Sequence, residues 1–496
     1  MGTTGSGTPA PRRSLARRIA SGAVWTVVGR FASVGALLGI NSVLRRALSE
    51  GDYAAYALAS AAAIFLGIPA SMGVPRILLR TLRAPSVVND AVLRRRAIAN
   101  AFSLLPIGCI GCTLLILAFA LEGSAATRWQ ALHDHPLLTS LWMSGLVVSL
   151  TLSHALQGFD RFFEASFVGN RSGGVIANVL SLAICVGLWM AGAISLTTAL
   201  AAQAIANLTA AAIGAMVLWR IAGRTDRNDA LPNAPQLDEA TTAIEPDPTR
   251  RWFFFESLPN VLVQLTSTGI IHFEMLIMGF LANEENVADY NLVLRLAELL
   301  AASHMLATTI ATPFIAELYA RRELRRLEGL LRGVASLVAV PTTVFALAYL
   351  AFPEQVLTFF FGQFGDSAVV PLRITTVAAA ISCYAGANAL TLVMTGNQIV
   401  LLRASLTAAG CYLLTAPPLI ALYGATGAAI ATLAVFGTYN ILITLMVRWK
   451  VGVWTTPTAD PKMWIAVAGL IRKRLSGRAG PPSISPSIDG PVDLSD

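Results

Sequence analysis

Three groups of polar residues stand inside otherwise apolar runs, at spacings that put each group on one side of a helix. At about 100° per residue, Thr26, Arg30, Ser33 and Asn41 share a face. Glu256, Asn260, Gln264, Ser267 and Glu274 do the same in a second run, and Asn291, Arg295 and Glu298 in a third. Guanidinium forks match carboxylate and phosphate oxygens. Carboxyls inside a bilayer mark ion and proton pathways. Amides and hydroxyls hydrogen-bond polar cargo. The chemistry these residue types suit is binding and ion exchange rather than bond making.

Each residue also has a plainer reading. Arg295 and Glu298 are three apart and can pair on their own helix. Arg76 and Arg171 stand near the end of an apolar run, where a long side chain snorkels to the surface. Single Asn, Gln, Ser and Thr residues also serve as helix-to-helix hydrogen bonds. A charge at mid-bilayer costs about 2.5–3.5 kcal/mol on insertion scales, which argues against an idle Arg30 or Glu274.

Other chemistries lack their residues. Cys109 and Cys112 form a CxxC inside the apolar run "LLPIGCIGCTLLILAFAL", without further ligands of the kind zinc needs. The chain has three lysines, Lys450, Lys462 and Lys473, and none lies in a P-loop. HExxH and G-x-S-x-G are absent. The chain is therefore read as neither an enzyme nor a metal protein, and as needing no cofactor.

The elements that must hold these residues are membrane helices. Of 496 residues, 55% are hydrophobic and 13% charged, against about 25% charged in a soluble domain. The net charge of +8 is carried by arginines between apolar runs, not by the polar and aromatic surface of a nucleic-acid binder. Runs of about 20 apolar residues give about twelve spans: 20–44, 54–79, 98–121, 137–157, 167–190, 196–219, then 253–281, 288–315, 330–352, 368–394, 401–422 and 426–447. Residues 1–18 read as a disordered basic tail, 19–220 as a first six-helix lobe and 221–251 as a linker. Residues 252–450 read as a second six-helix lobe. Residues 451–496 read as a tail with an interfacial segment, "MWIAVAGLI". Arginine clusters at 12–18, 80–96, 321–326 and 448–478 fall on one side of this arrangement. The positive-inside rule makes that side, and both termini, cytoplasmic.

The halves echo each other. "SEGDYAAY" and "NEENVADYN" each join two apolar runs, and Tyr53 and Tyr290 differ by 237 (290 − 53). Pro75 and Pro313 differ by 238 (313 − 75), as do Gly158 and Gly396 (396 − 158). Six spans is an even number, so the halves keep one orientation, related by an axis along the membrane normal, with a route between them. The Asp-Tyr pairs themselves read as helix starts, Asp suiting the N-terminal dipole and Tyr the interface.

"VLRRALSEGDYAAYALASAAAIF" and "HFEMLIMGFLANEENVADYNLVLRLAELL" resemble the lobe starts of polysaccharide transporters and O-antigen flippases. These belong to the superfamily of multidrug, oligosaccharidyl-lipid and polysaccharide exporters. "FFFGQFGDSAVVPLRI" and "ALYGATGAAIATLAVFGTYN" are similar to their later segments. The resemblance covers about residues 18–450. It implies an all-α polytopic fold like that of the MATE transporters, with two six-helix lobes around a cavity lined mainly by spans 1, 2, 7 and 8. It also implies alternating access and lipid-linked glycan cargo. Family members commonly carry Asp where this chain has Glu274. The lipid II flippase branch typically has fourteen spans, and no convincing last pair is present.

The expectation is a flippase in the inner membrane of a prokaryote that moves a lipid-linked oligosaccharide with an anionic diphosphate, coupled to H+ or Na+. Arg30, Asn41, Arg76, Asn260, Gln264 and Arg295 would bind substrate. Glu256, Glu274 and Glu298 would couple ions. Partners would be the lipid-linked glycan, membrane lipids, a glycan polymerase and glycosyltransferases, and no nucleic acid. The alternatives are a MATE-type multidrug/cation antiporter or a lipid II-type flippase. A major facilitator would show Gly…Asp-Arg-x-Gly-Arg after span 2, where this chain has "TLRAPSVVNDAVLRRRAIAN". A membrane enzyme of glycan assembly would want a large outer loop.

Overall fold

In bilayer every backbone N–H and C=O needs an internal partner, so a chain this apolar has to cross it as helices. The computed structural model describes residues 15–88, 90–121, 129–169, 173–224 and 249–458, and among them the regular structure is helical throughout. The first lobe contains α1 (Leu15–Ala47), α2 (Glu50–Ala70), α3 (Val74–Leu82), α4 (Ala91–Leu121), α5 (Pro136–Gly158), α6 (Val175–Met190) and α7 (Leu196–Arg224). The second contains α8 (Arg250–Gln264), α9 (Ile270–Leu281), α10 (Glu284–Ala320), α11 (Leu324–Ala351), α12 (Val369–Tyr384), α13 (Asn388–Met394), α14 (Gln398–Thr432) and α15 (Thr438–Val451). Among the described residues, seven of these helical runs are long and apolar enough to cross a membrane by length and composition.

The interruptions have local causes. Span 2 breaks between α2 and α3, where Pro69 is followed by Met72 at φ 50° and Gly73 at φ 69°. Gly73 is required there. A Cβ would collide with the carbonyl oxygen of Ser257, so the lobes meet backbone to backbone at this point. Span 7 carries a π-helical turn at Leu265–Gly269 between α8 and α9. Gly424, at φ 54° and ψ −130°, divides α14 into the eleventh and twelfth passes.

Helix α2 is buried along nearly its whole first three turns, from Tyr53 to Ile64, as its Ala-rich sequence allows. It packs on α5 within its own lobe and on α9 and α10 of the other. By contrast α4 presents Ile107, Ile110, Leu114 and Leu115 outward, as a lipid-facing helix should.

The expected boundaries shift at three places. Helix α1 starts at Leu15, inside the stretch read as a disordered tail. Helix α7 runs to Arg224 and α8 starts at Arg250, so most of the linker lies outside the described residues. So do residues 1–14, Arg171 and the "MWIAVAGLI" segment. The tail read from residue 451 onward begins instead with a docked strap. Val453 and Thr455 are buried. Thr455 Oγ1 donates to the Ala385 carbonyl at 2.7 Å, and the Thr458 N–H donates to Ser336 Oγ at 3.0 Å. The receiving notch is the break between α12 and α13, where Gly386 sits at φ 66° with the Thr455 carbonyl in the place of its missing Cβ. Gly386→Ala is therefore expected to expel the strap and cost at least about 2 kcal/mol, combining a left-handed conformation with a clash. Thermal unfolding in detergent, with thiol labelling of Thr455→Cys as the exposure readout, checks this.

Candidate functional site: the seam between the lobes

The lobes meet along α1 and α2 on one side and α8, α9 and α10 on the other. Near the Arg-poor end the contact is polar. Asn41 of α1 accepts at Oδ1 from the Tyr53 hydroxyl (2.9 Å) and from Asn291 Nδ2 of α10 (3.1 Å). Asn291 Nδ2 also lies 2.9 Å from the Tyr53 oxygen. Asn291 Oδ1 in turn accepts from Arg295 Nη2 at 3.2 Å. All four residues are buried. Tyr53 stacks on Tyr56, and Tyr56 on Trp142 and under Gln203 Nε2 (2.8 Å). A buried polar chain of this kind fixes one arrangement of two helices, because separating them strands each member.

The chain leads toward mid-membrane. Arg295 Nη1 bridges Glu298 at 3.2 Å. Glu298 lies about 20 Å along α10 from its start, at 1.5 Å per residue. It keeps 28% of its side chain exposed while the Arg295 side chain keeps 6%. Arg30 of α1, across the lobes, feels the charge of the same carboxylate without a direct ion pair to it among the described residues. The Nε atoms of Arg30 and Arg295 are both buried with no hydrogen-bond partner among the described residues.

Glu274 occupies a separate place. The single polar face expected for span 7 is corrected here. The π turn inserts one residue, which rotates everything after it by about 100°. Glu274 therefore leaves the face of Glu256, Asn260 and Gln264 and turns into the interior of the second lobe. It is buried. Its Oε1 accepts from the Tyr290 hydroxyl at 2.8 Å and from Thr432 Oγ1 at 2.9 Å, with Tyr412 nearby. Glu256, at the Arg-rich end, pairs with Arg80 of α3 across the lobes at 2.8 Å. Asn260 is half-buried beside Gly73, Gln264 lines a small cleft with Ser71 and Gly67, and Arg76 is half-buried on α3.

The expected residues thus divide. Asn41, Arg295 and Glu298 are joined through Asn291, Arg30 stands on α1 with no ion pair to them among the described residues, Glu256 joins Arg80, and Glu274 stands apart. Ser33 of the first stripe serves packing, held by Asn178 Nδ2 at 2.8 Å. The Asp-Tyr pairs correct the sequence reading as well. Asp52 does start a helix, with its N–H on the Ser49 cap at 3.1 Å. Asp289 instead pins a distant loop, accepting from Gly365 N (2.9 Å) and Ser367 Oγ (2.7 Å). Both tyrosines are fully buried and bond the polar residue of the preceding span. That repeated Asp-Tyr was itself the signal. Thr432 and Tyr412 had none, and Arg80 was visible only as one of a cluster of cytoplasmic-side arginines. Among the described residues no group of three or more His, Cys, Asp or Glu could hold a metal.

Comparison with known proteins bears on the fold. Residues 19–319 match the family described as polysaccharide biosynthesis protein. A point mutant of the VcmN MATE transporter of Vibrio cholerae superimposes with a TM-score of 0.58 at 13% identity, over 88% of this chain and 98% of that one. A transporter of the multidrug/oligosaccharidyl-lipid/polysaccharide superfamily from Pyrococcus furiosus, described as having a binding pocket of reverse polarity, gives 0.56 at 15% identity, over 88% and 96%. A comparison with curated proteins returned no match.

Proposed function

Because the chain belongs to the polysaccharide biosynthesis protein family, and has the multi-pass fold of the exporters just described, we propose that this membrane transporter flips a lipid-linked oligosaccharide between leaflets. The observation that carries the reading is a pair of arginines on packed helices of opposite lobes, Arg30 of α1 and Arg295 of α10, each with an unfilled Nε donor among the described residues. A diphosphate offers oxygens for both forks. The glycan would lie in the cleft and the lipid tail in the bilayer. Arg76, Asn260 and Gln264 line the path on the Arg-rich side, which the positive-inside rule makes cytoplasmic in an inner membrane. The nearby polymerase and glycosyltransferases that make and use such cargo are the partners this reading implies.

Coupling to H+ or Na+ is assigned to Glu274, the one acid of the three with no basic partner among the described residues. Glu256 serves the cytoplasmic contact with Arg80, and Glu298 answers to the arginines. The lobes would alternate by breaking the Asn41–Tyr53–Asn291 contact at one end and the Arg80–Glu256 and Gly73–Ser257 contacts at the other.

Deletion of the gene, with leaflet-resolved measurement of lipid-linked glycans, tests the proposal. Accumulation on the cytoplasmic leaflet is expected, reversed by the wild-type chain. A normal distribution together with altered drug susceptibility would overturn it in favour of an antiporter.

A further inference from the structure

We propose that Glu298 is an internal stand-in for the cargo's anion, and that its displacement by a diphosphate loosens the seam between the lobes. The inference rests on the reading that an anionic lipid headgroup enters this cleft, and it concerns how that site is regulated.

The contacts of Arg295 carry it. Its guanidinium serves two masters. Nη2 donates to Asn291 Oδ1 at 3.2 Å, and Nη1 reaches Glu298 at 3.2 and 3.3 Å. Charge-assisted bonds are ordinarily shorter, about 2.7–2.9 Å. The pair is therefore loosely made. Nε remains buried and unfilled, so the fork is half used. Glu298 keeps more than a quarter of its side chain exposed, so it can swing into solvent. The same carboxylate acts on Arg30 of the opposite lobe, whose Nε is likewise unfilled. Glu298 thus holds the place where the Arg295 fork could take a phosphate oxygen, with Arg30 on the packed helix of the other lobe open to a second.

The consequence reaches the seam through Asn291. Its Oδ1 is held by Arg295 while its Nδ2 joins Asn41 and Tyr53 of the first lobe. If Arg295 turns toward an arriving phosphate, Asn291 loses the bond that orients its amide. The two bonds across the lobes then lose their support. Cargo binding and opening at the Arg-poor end become one event, with no separate trigger required. Because the ligand binds the loosened state better, its differential affinity is what moves the lobes.

The test uses the full chain in nanodiscs, a polyprenyl diphosphate as probe, and inorganic pyrophosphate as a tail-free probe. Glu298→Gln removes the competing charge and keeps the shape. It is expected to bind both probes about tenfold more tightly. Glu298→Ala serves as a second variant, with melting curves confirming that both fold. Spin labels at Leu121→Cys and Gln355→Cys, with Cys109 and Cys411 replaced by serine, report the distance between the lobes at the Arg-poor end. Probe should lengthen it in the wild type. Asn291→Ala should lengthen it without probe. Wild-type binding that is unchanged or weakened in both Glu298 variants overturns the stand-in role and leaves the proposed function untouched. Absence of probe binding by the wild type overturns both.

Discussion

Arg295→Ala is expected to reduce glycan export to below a tenth of wild type and to lower stability measurably. Arg295 is 5% exposed. Its removal leaves Asn291 Oδ1 without its donor and Glu298 without its cation. Breaking a buried pair by deleting one partner costs about 3–5 kcal/mol. Glu298 is partly exposed and can recover some hydration, so about 2–3 kcal/mol is the expected loss. Arg295→Lys separates the two effects. A lysine keeps the charge near Glu298, but as a point charge it cannot present the planar fork. Arg295→Lys should fold and melt close to wild type while exporting as poorly as the alanine variant. Complementation of a deletion strain and thermal unfolding in detergent read the two quantities. Normal export by Arg295→Ala would remove the residue from the cargo path.

Glu274→Gln is the second change with a large expected effect, and its signature is the reverse. Glutamine keeps an oxygen that can accept from Tyr290 and Thr432, so the packing of α9 against α10 and α14 survives. Stability should stay within about 1 kcal/mol. What is lost is the exchangeable charge, and export should fall below a tenth of wild type. Glu274→Ala would differ. It leaves the buried Tyr290 hydroxyl and the half-buried Thr432 hydroxyl without their acceptor and a void in the second lobe, costing about 2–4 kcal/mol. A Glu274→Gln variant that exports normally would show that the carboxyl is a packing device and that coupling, if any, lies elsewhere.

The two acids of span 7 show what a sequence can and cannot carry. Helix periodicity placed Glu256, Asn260 and Gln264 on one face, and they remain on one face because α8 is regular up to Gln264. The same periodicity failed at Glu274. "LTSTG" contains nothing that distinguishes a π turn from an α turn, and the neighbours it packs on, α2 of the other lobe and α14 of its own, are far away in sequence. Arg30, Asn41, Arg295 and Glu298 were legible as membrane-embedded polar groups, since composition makes such residues conspicuous. Their connection was not. Asn41 and Asn291 are 250 residues apart, and only the packing of α1 on α10 brings them within bonding distance. Arg80 and Glu256, 176 apart, were each visible singly for the same reason. The Asp-Tyr echo located the turns correctly, yet Asp52 and Asp289 do different work because only the second lies beside the loop at Gly365. Duplication preserves positions better than it preserves partners.

The strap after the last span has a consequence for how the protein is made. Its docking notch is formed by Ser336 on α11 and the Ala385–Gly386 break, residues synthesised long before Val453. Until residue 458 has cleared the ribosome and the translocon, those helices must wait in the bilayer with the notch unfilled. Maturation of the second lobe therefore finishes with the strap, and synthesis runs at about 5–20 residues per second. A reporter fused after residue 458 leaves this closing step intact. One fused at residue 451 removes it, and should yield a chain that inserts fully yet is cleared by membrane quality control.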